Sequence, residues 1–591
     1  MKNIFSRKKK VESRKHFSLL SFSVAVFILL AAGGLSSCDS FLNQDVPQGT
    51  LSGEQVNDPL YIDNICISAY AIFISAEDVN SSFSMWNFDV RSDDAYKGGI
   101  SENDGDVFHQ LEISQGILTT NWNINDMWVR LYNCLGRVNA AINALNAMDD
   151  SYELKAQRLG EMRFLRAYAH FLLKRLYKNI PFVIKPDMTQ EEYSQLSNTE
   201  YTNDEGWQII ADDLEYAYSV LPVTQAEKGR PTQASAAGLL AKVYLYKAYR
   251  QDDPNSHQVT EINRDDLQKV LTYTDEAIYA AGKYGLEDDF HNNFRPEPQY
   301  ENGKESLWAM QYSTNDGTNL GNCNWSYGLM VPGIEGVTDG GCDFYKPSQN
   351  LVNAFRTNAD GLPFINDFNS KDFDPATDAA DPRLWLTVGI AGFPYEFNPK
   401  LMMSRTHNWS RSNGLYGYHV TLKHNVDPES GYLIRSALWF GTPMNRIVVR
   451  YADVLLMRAE ALAQLGRNDE AIELVNRIRN RASRSLGMLA GYDTNYGAKI
   501  RVKPYMDNTD ALARVKMERR LELAMESERF FDLVRWGEAE QVINKYYVEE
   551  ANDCRIYTTA HFTANKNEYL PIPHEQIAAS NGHYKQNIGG W

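Results

Sequence analysis

Leu165, Tyr168, Leu172 and Leu176 recur at spacings of three and four, the period that gathers side chains on one face of an α-helix. The same period governs two stretches near the end of the chain. Tyr451, Leu455, Ala459 and Leu462 form one face, Gly466 interrupts it, and Ala471, Val475, Ile478 and Ala482 form a second. Ala459 and Ala471 stand twelve positions apart across that glycine, the spacing of a tetratricopeptide-type helix pair, in which small residues let two helices approach closely. Polar punctuation marks further helices. Thr202-Asn203-Asp204-Glu205 reads as a capping box, with a helix running from it to Leu221 before Pro222, and Asp150-Ser151-Tyr152-Glu153 reads as another, opening the helix that carries Leu165. Helices are also predicted over about 54–77, from about 120, over 234–249 after Pro231, and over 264–281. The reading is a mainly α chain: about four tetratricopeptide-like helix pairs forming a scaffold.

The pattern breaks between 284 and 443, where Gly, Asn, Asp and aromatics dominate. Short runs such as Ser306-Leu307-Trp308-Ala309-Met310-Gln311-Tyr312 alternate like strands. An irregular stretch of this length is too long for a linker, and such excursions usually carry function. The start of the chain differs again. Basic residues from Lys2 to Lys15 precede an almost uncharged apolar run, Phe17 to Leu35, which ends in Leu35-Ser36-Ser37-Cys38. That order reads as a secretory signal whose cleavage exposes Cys38 for lipid attachment. A transmembrane anchor is the alternative, since about 20 apolar residues span a bilayer. Gly33, Gly34 and the serines suit a processing site better than a helix end. The expected organisation is therefore a signal over 1–37, a helical region over 38–283, and a region over 284–591 whose loop-rich insertion is 284–443.

Charge narrows the function classes. The formal net charge is −17 and becomes about −23 once residues 1–37, with seven Lys/Arg and the single Glu12, are set aside. An acidic chain lacks the basic face that nucleic-acid binding needs. There is no CxxC, HExxH, GxxxxGK[ST] or GxSxG pattern. Of the six cysteines, Cys323 and Cys342 share the Gly-rich region and are a candidate disulfide. The acidic stretch Asp93, Asp94, Asn103, Asp104 and Asp106 around Gly98, Gly99 and Gly105 is considered for calcium, but its spacing does not fit an EF-hand, and a solvated loop is the plainer reading. His419 and His424 are not spaced as a metal pair of any strength. No cofactor is expected. From Glu518 to Arg535 the charges are dense, with Arg519–Glu522, Arg529–Asp532 and Asp532–Arg535 three apart. Paired carboxylates are what glycoside hydrolysis uses. Here the signs are nearly balanced and interleaved with Phe530, Phe531 and Trp536, which favours a structural ion-pair network over an enzyme.

The better candidates are aromatics outside the helices. Trp86 and Tyr96 flank the acidic stretch with Arg91 and Asp94. Trp325 and Tyr327 lie in Gly-Asn-Cys-Asn-Trp-Ser-Tyr-Gly, Tyr345 follows, and Trp409, Tyr416 and Tyr418 lie in a Gly/Ser/Asn-rich stretch. Sugars present apolar C–H faces ringed by hydroxyls. An aromatic plate matches the first, and Asn, Asp and Arg match the second. Each aromatic taken alone is more often a loop anchor than a ligand contact; as a set they suggest a binding platform.

Several motifs resemble those of one known protein family. Cys38-Asp39-Ser40-Phe41-Leu42 resembles the family's mature start, and Glu161-Met162-Arg163-Phe164-Leu165-Arg166-Ala167-Tyr168 its signature helix. Tyr177-Lys178-Asn179-Ile180-Pro181-Phe182 and Gly229-Arg230-Pro231-Thr232 resemble later turns. Arg450-Tyr451-Ala452-Asp453, Glu518-Arg519-Arg520-Leu521-Glu522-Leu523, Arg529 to Gly537, Tyr569-Leu570-Pro571-Ile572-Pro573 and Lys585 to Trp591 are the most specific matches. Glu526-Ser527-Glu528 stands where the family often has Glu-Gly, and 284–443 matches only loosely. On these motifs the chain resembles the SusD/RagB family of outer-membrane nutrient-uptake lipoproteins, and the resemblance implies a non-enzymatic lipoprotein, anchored through Cys38 in the outer membrane and facing the exterior. It implies capture of oligosaccharide for a SusC-type TonB-dependent barrel transporter. The other readings carried forward are a receptor for peptides or another nutrient, and a lipid-anchored glycosidase.

Overall fold

The computed structural model describes residues 59–74, 89–314, 341–395, 398–405, 409–423, 425–435, 441–487 and 500–591. Cys38 and the expected signal lie outside the described residues. Residues 62–591 fold as one unit. Its frame is a stack of helices in which each packs on the next: α1 (Trp122–Ala147), α2 (Lys155–Tyr177), α3 (Asn203–Val220), α4 (Gln233–Ala248), α5 (Arg264–Ile278), α6 (Tyr451–Gln464), α7 (Asn468–Ala482) and α8 (Ala511–Leu523). The expected four helix pairs are there, and the chain leaves the stack after α5 and rejoins it at α6. The irregular excursion is thus an insertion between two neighbours of one continuous stack. The shorter α9 (Arg529–Trp536) and α10 (Ala539–Glu550) follow.

Local chemistry sets the helix ends. The capping box at Thr202 forms, with its hydroxyl accepting from the Glu205 N–H and the Glu205 carboxylate accepting from the Thr202 N–H. The one expected at Asp150–Glu153 does not. There Asp149 accepts from the Ser151 N–H in a tight turn, and α2 begins at Lys155 with no side-chain cap. The α6–α7 turn closes as a Schellman motif. Gly466 takes a φ of 82°, its N–H donates to Ala463 O, and the Arg467 N–H donates to Leu462 O. The flanking Ala459 and Ala471 are fully buried between the helices.

Strands are short and paired in twos among the described residues. β1 (Ala95–Gly98) pairs antiparallel with β3 (Phe344–Pro347), Ala95 opposite Pro347 and Gly98 opposite Phe344. β2 (Ser306–Met310) pairs antiparallel with β4 (Arg446–Arg450) through an irregular register. The alternation read in β2 does not produce one wet face, because all five residues are buried. Trp308 wedges edge-on against Phe164 and Tyr168 of α2, at 4.7 and 5.2 Å between ring centres. Leu307 and Val449 seat on Gly238 of α4, where a Cβ would stand 2.6 Å from Val449 Cγ1.

The motif-bearing segments meet one another. The Leu570 N–H donates to Leu176 O, Asn587 Nδ2 donates to Tyr177 O and Leu570 O, and Asn179 Nδ2 donates to Asn587 Oδ1, so three distant motifs close on the end of α2. Glu161 accepts from Arg158 and Arg230, each at 2.7 Å. The dense charges from 518 to 535 join a buried ion network whose partners come from other elements. Glu522 receives Arg383, Arg450 and Arg481; Glu518 receives Arg383 and Arg479; Arg519 reaches Asp453 at 2.8 Å and Asp532 at 2.9 Å. Of the three pairs read along the helix, Asp532–Arg535 forms at 2.7 Å. Arg519 turns instead to Asp453 and Asp532, and Arg529 to Asp93 at 2.8 Å, because a buried carboxylate is best matched by cations converging from several elements.

Candidate ligand-binding site

Of the leading candidates Trp86, Trp325 and Trp409, the first two lie outside the described residues, Trp86 in one segment and Trp325 with Tyr327 in another. The described residues on either side of these segments share anchors. On the entry side, Ile74 and Met310–Gln311 line one cavity of about 270 Å3 with Ile67, Tyr70 and Lys228. It continues into a second of about 320 Å3 that shares residues 227–230 and 308–309 and adds Tyr284, Asn302 and Lys304. Gln311 and Asn302 exchange side-chain hydrogen bonds at 2.9 Å, and Asn445 adds one to Gln311 at 3.1 Å. On the exit side, the Tyr345 hydroxyl donates to Asp89, whose carboxylate also accepts the Ser527 N–H at 2.8 Å. Ser348 Oγ donates to Asp93 O at 2.7 Å, and the β1–β3 ribbon follows. The described residues that precede these two segments thus meet at one groove, and those that follow them meet near one ribbon. This groove of aromatic and amide side chains was not anticipated. Its residues come from four separated segments and share no sequence pattern.

The structure corrects most of the remaining expectations. Arg91 is buried, donates to Asn567 O at 2.8 Å and lies 3.9 Å over the Phe530 ring; burial lowers its pKa to about 9. Asp94 is fully buried and accepts from Arg520 Nε at 2.7 Å. The Tyr96 hydroxyl donates to Glu550, whose own pKa burial pushes up to about 7. Tyr345 and Tyr416 are fully buried, and Trp409 packs edge-on against Tyr395 at 5.5 Å in a small apolar cluster. These six side chains are buried and spend their polar atoms or rings on contacts inside the protein. Their polar, Gly-rich surroundings in sequence had suggested exposure, but a lobe without long helices fixes its backbone through buried polar side chains. Tyr418 alone of the described candidates is half-exposed, with the Arg405 guanidinium 5.5 Å from its ring.

The acidic stretch supplies its own cation. The Lys97 ammonium donates to the carbonyls of Gly98, Ser101 and Asp104 at 3.0, 3.0 and 2.5 Å, while Asp93 and Asp94 face Arg520 and Arg529. Among the described residues no group of three or more His, Cys, Asp or Glu side chains converges as metal ligands would. Cys342 is a free thiol raised by burial, and its expected partner Cys323 lies outside the described residues. His419 is held by Gln349 at 2.8 Å.

The architecture defines a class: a tetratricopeptide-like scaffold carrying a loop-built lobe. Comparison with known proteins places the chain further. The SusD family model matches residues 304–591, and a second, described as starch-binding associating with outer membrane, matches residues 41–245. The chain belongs to the SusD/RagB family. The SusD-like protein P2 of Formosa agariphila is 26% identical over 477 residues, covering 79% of this chain and 80% of that protein. A SusD homolog from Bacteroides thetaiotaomicron shares the fold with a TM-score of 0.67 at 18% identity, over 92% of this chain and 99% of the other. Surface glycan-binding protein A of the same species, solved in complex with laminarihexaose, gives 0.59 at 19% identity over 89% and 99%.

Proposed function

We propose that this protein is a surface glycan receptor, a lipoprotein tethered through Cys38 that captures oligosaccharide and passes it to a SusC-type TonB-dependent barrel in the outer membrane. It binds and does not cleave. The observation that carries the reading is that the described residues flanking the two aromatic-bearing stretches meet each other, at one groove before them and near one ribbon after them. Pre-set anchors cut the ordering cost of a platform built from loops. Family membership, and a relative of the same fold that holds laminarihexaose, support a carbohydrate as the cargo. The carboxylate-rich helix is neutralised by buried arginines, which supports binding over hydrolysis. Among the described residues no helix is long and apolar enough to cross a membrane, so delivery falls to a partner. A tether confining both to one membrane raises their effective concentration and makes a modest interface sufficient.

The test is affinity electrophoresis and calorimetry against a panel of neutral polysaccharides, with peptides as the competing class. Trp86→Ala, Trp325→Ala, Tyr327→Ala and Tyr418→Ala should weaken retention of the cognate glycan. An indole plate burying ~100 Å2 is worth about 2.5 kcal/mol, roughly fiftyfold in affinity. Binding of peptides but of no glycan, or release of reducing ends, would reject the reading. A mild-detergent pull-down of the parent should recover a barrel transporter; recovery of the lipoprotein alone, where other outer-membrane complexes survive, would reject the delivery step.

A further inference from the structure

A cavity of about 820 Å3 shares no lining residue with the groove built from residues near 70, 228, 284 and 310. It opens between α8, α9, α10 and the turn at 365–368. Its floor is a pair of arginines held rigid from below. Arg520 donates through Nε to Asp94 at 2.7 Å and through Nη2 to Asn350 at 2.8 Å. Arg529 grips both oxygens of Asp93 at 2.8 and 2.9 Å. Each guanidinium keeps an Nη1 group with no partner among the described residues. Trp536 lines one wall, its indole fixed by an Nε1–H bond to Glu460 at 2.9 Å, and Phe368 lines another. Asn366, Gln541 and Lys545 stand exposed at the rim.

We infer that this cavity is a second carbohydrate site, separate from the loop platform, for a short neutral oligosaccharide. Its volume is that of a small-molecule pocket. The two arginines would mark an anion site if they were free, but Asp93 and Asp94 cancel their charge and leave fixed donors without net charge. Such a floor favours hydroxyls over carboxylate or phosphate, because a hydroxyl accepts from the arginine without an ionic charge of its own to desolvate. The apolar walls match the C–H faces of a sugar ring, and the rim amides offer both donors and acceptors. Lys516, half-exposed and paired with Glu538, rests its ammonium 4.7 Å from the Trp536 ring at the edge of the cavity.

Hydrogen–deuterium exchange on the full chain locates each site separately. Neutral hexasaccharides of glucose, xylose and mannose are the probes, and an oligoalanine peptide is the comparison. At least one hexasaccharide should protect 536–549 and 365–368, and this protection should persist in the Trp86→Ala/Trp325→Ala double variant. Gln541→Trp, which fills the rim from an exposed position, should abolish it and lower affinity at this site at least tenfold; Ala513→Trp is a second, independent block. Three outcomes overturn the inference: protection confined to the aromatic segments, protection of 536–549 by the peptide and by no sugar, or protection that both blocking variants leave intact. If the loop variants abolish protection of the aromatic segments while 536–549 stays protected, the two sites are distinct and both readings stand.

Discussion

Replacing Glu460 by Gln tests whether the buried charges of the C-terminal helices are structural. Glu460 is fully buried on α6. It receives both terminal nitrogens of Arg535, the Trp536 Nε1–H at 2.9 Å and the Tyr249 hydroxyl at 2.6 Å. Burial alone would raise its pKa, but the Arg535 and Arg519 guanidiniums outweigh burial and hold it down to about 2, against an ordinary value of 4.5. Its folded pKa is depressed, so its contribution is present above the unfolded pKa and is lost as the pH falls from about 4.5 towards 2. A gap of about 2.5 units at 1.36 kcal/mol each is about 3 kcal/mol at pH 7. The figure agrees with the 3–5 kcal/mol typical of removing one partner from a buried pair. Gln has the shape of the protonated acid, so the Glu460→Gln variant should be less stable than the parent by about that amount at pH 7. The difference should shrink to roughly 1–1.5 kcal/mol at pH 3. Urea midpoints of parent and variant at the two pH values measure it. Because Glu460 also fixes the Trp536 indole, the comparison of folded parent and variant is confined to stability and not to glycan affinity. A gap under about 0.5 kcal/mol at pH 7, or one that does not change with pH, would refute the reasoning.

Gly238→Ala should destabilise by about 1–3 kcal/mol despite the better helix propensity of alanine, because the new methyl meets the stiff Val449 side chain at 2.6 Å; a lowered melting temperature checks it. Asp89→Asn should act in the opposite direction. Burial first, then the nearby Asp94 carboxylate, raises Asp89 to about 7, so its ionisation costs stability as the pH climbs from 3.8 through 7. The variant should therefore gain about 2–4 kcal/mol at pH 8 and little at pH 4, read as denaturation midpoints, and a loss at pH 8 would contradict the assignment.

The helical stack was legible because its information is local. The periods at Leu165 and Tyr451, the box at Thr202 and the turn at Gly466 each report a structure built from neighbours in sequence. The motifs that betray the family are legible for a related reason: they are the residues that hold the fold. Glu161 with Arg230, Asp453 with Arg519, and Tyr177 with Asn587 are contact pairs split across the chain. The site was less legible. Arg91, Asp94, Tyr96, Tyr345, Trp409 and Tyr416 sit in polar, loop-like sequence and are nonetheless buried, since nothing in a single chain distinguishes an aromatic that faces a ligand from one that pins a loop. The entry groove brings together residues near 70, 228, 284 and 310. That adjacency depends on the order of helices in the stack, which no local pattern encodes.

Electrostatics joins the scaffold to its cargo. Among the described residues seventeen carboxylates and twenty Lys or Arg side chains are buried, so the interior is neutral to slightly positive. The chain's excess of acidic residues must then sit on its accessible surface and in its undescribed segments, where it amounts to about twenty negative charges. Repulsion from such a surface raises the cost of bringing a polyanionic glycan close, and it extends over roughly a Debye length of 8–10 Å in ordinary salt. A neutral glycan meets no such barrier, and its affinity rests on stacking and hydroxyl contacts that salt does not screen. With the buried charges nearly cancelled, the acidic excess stays outside the ion network, and for the receptor proposed above this exterior would disfavour an anionic glycan relative to a neutral one.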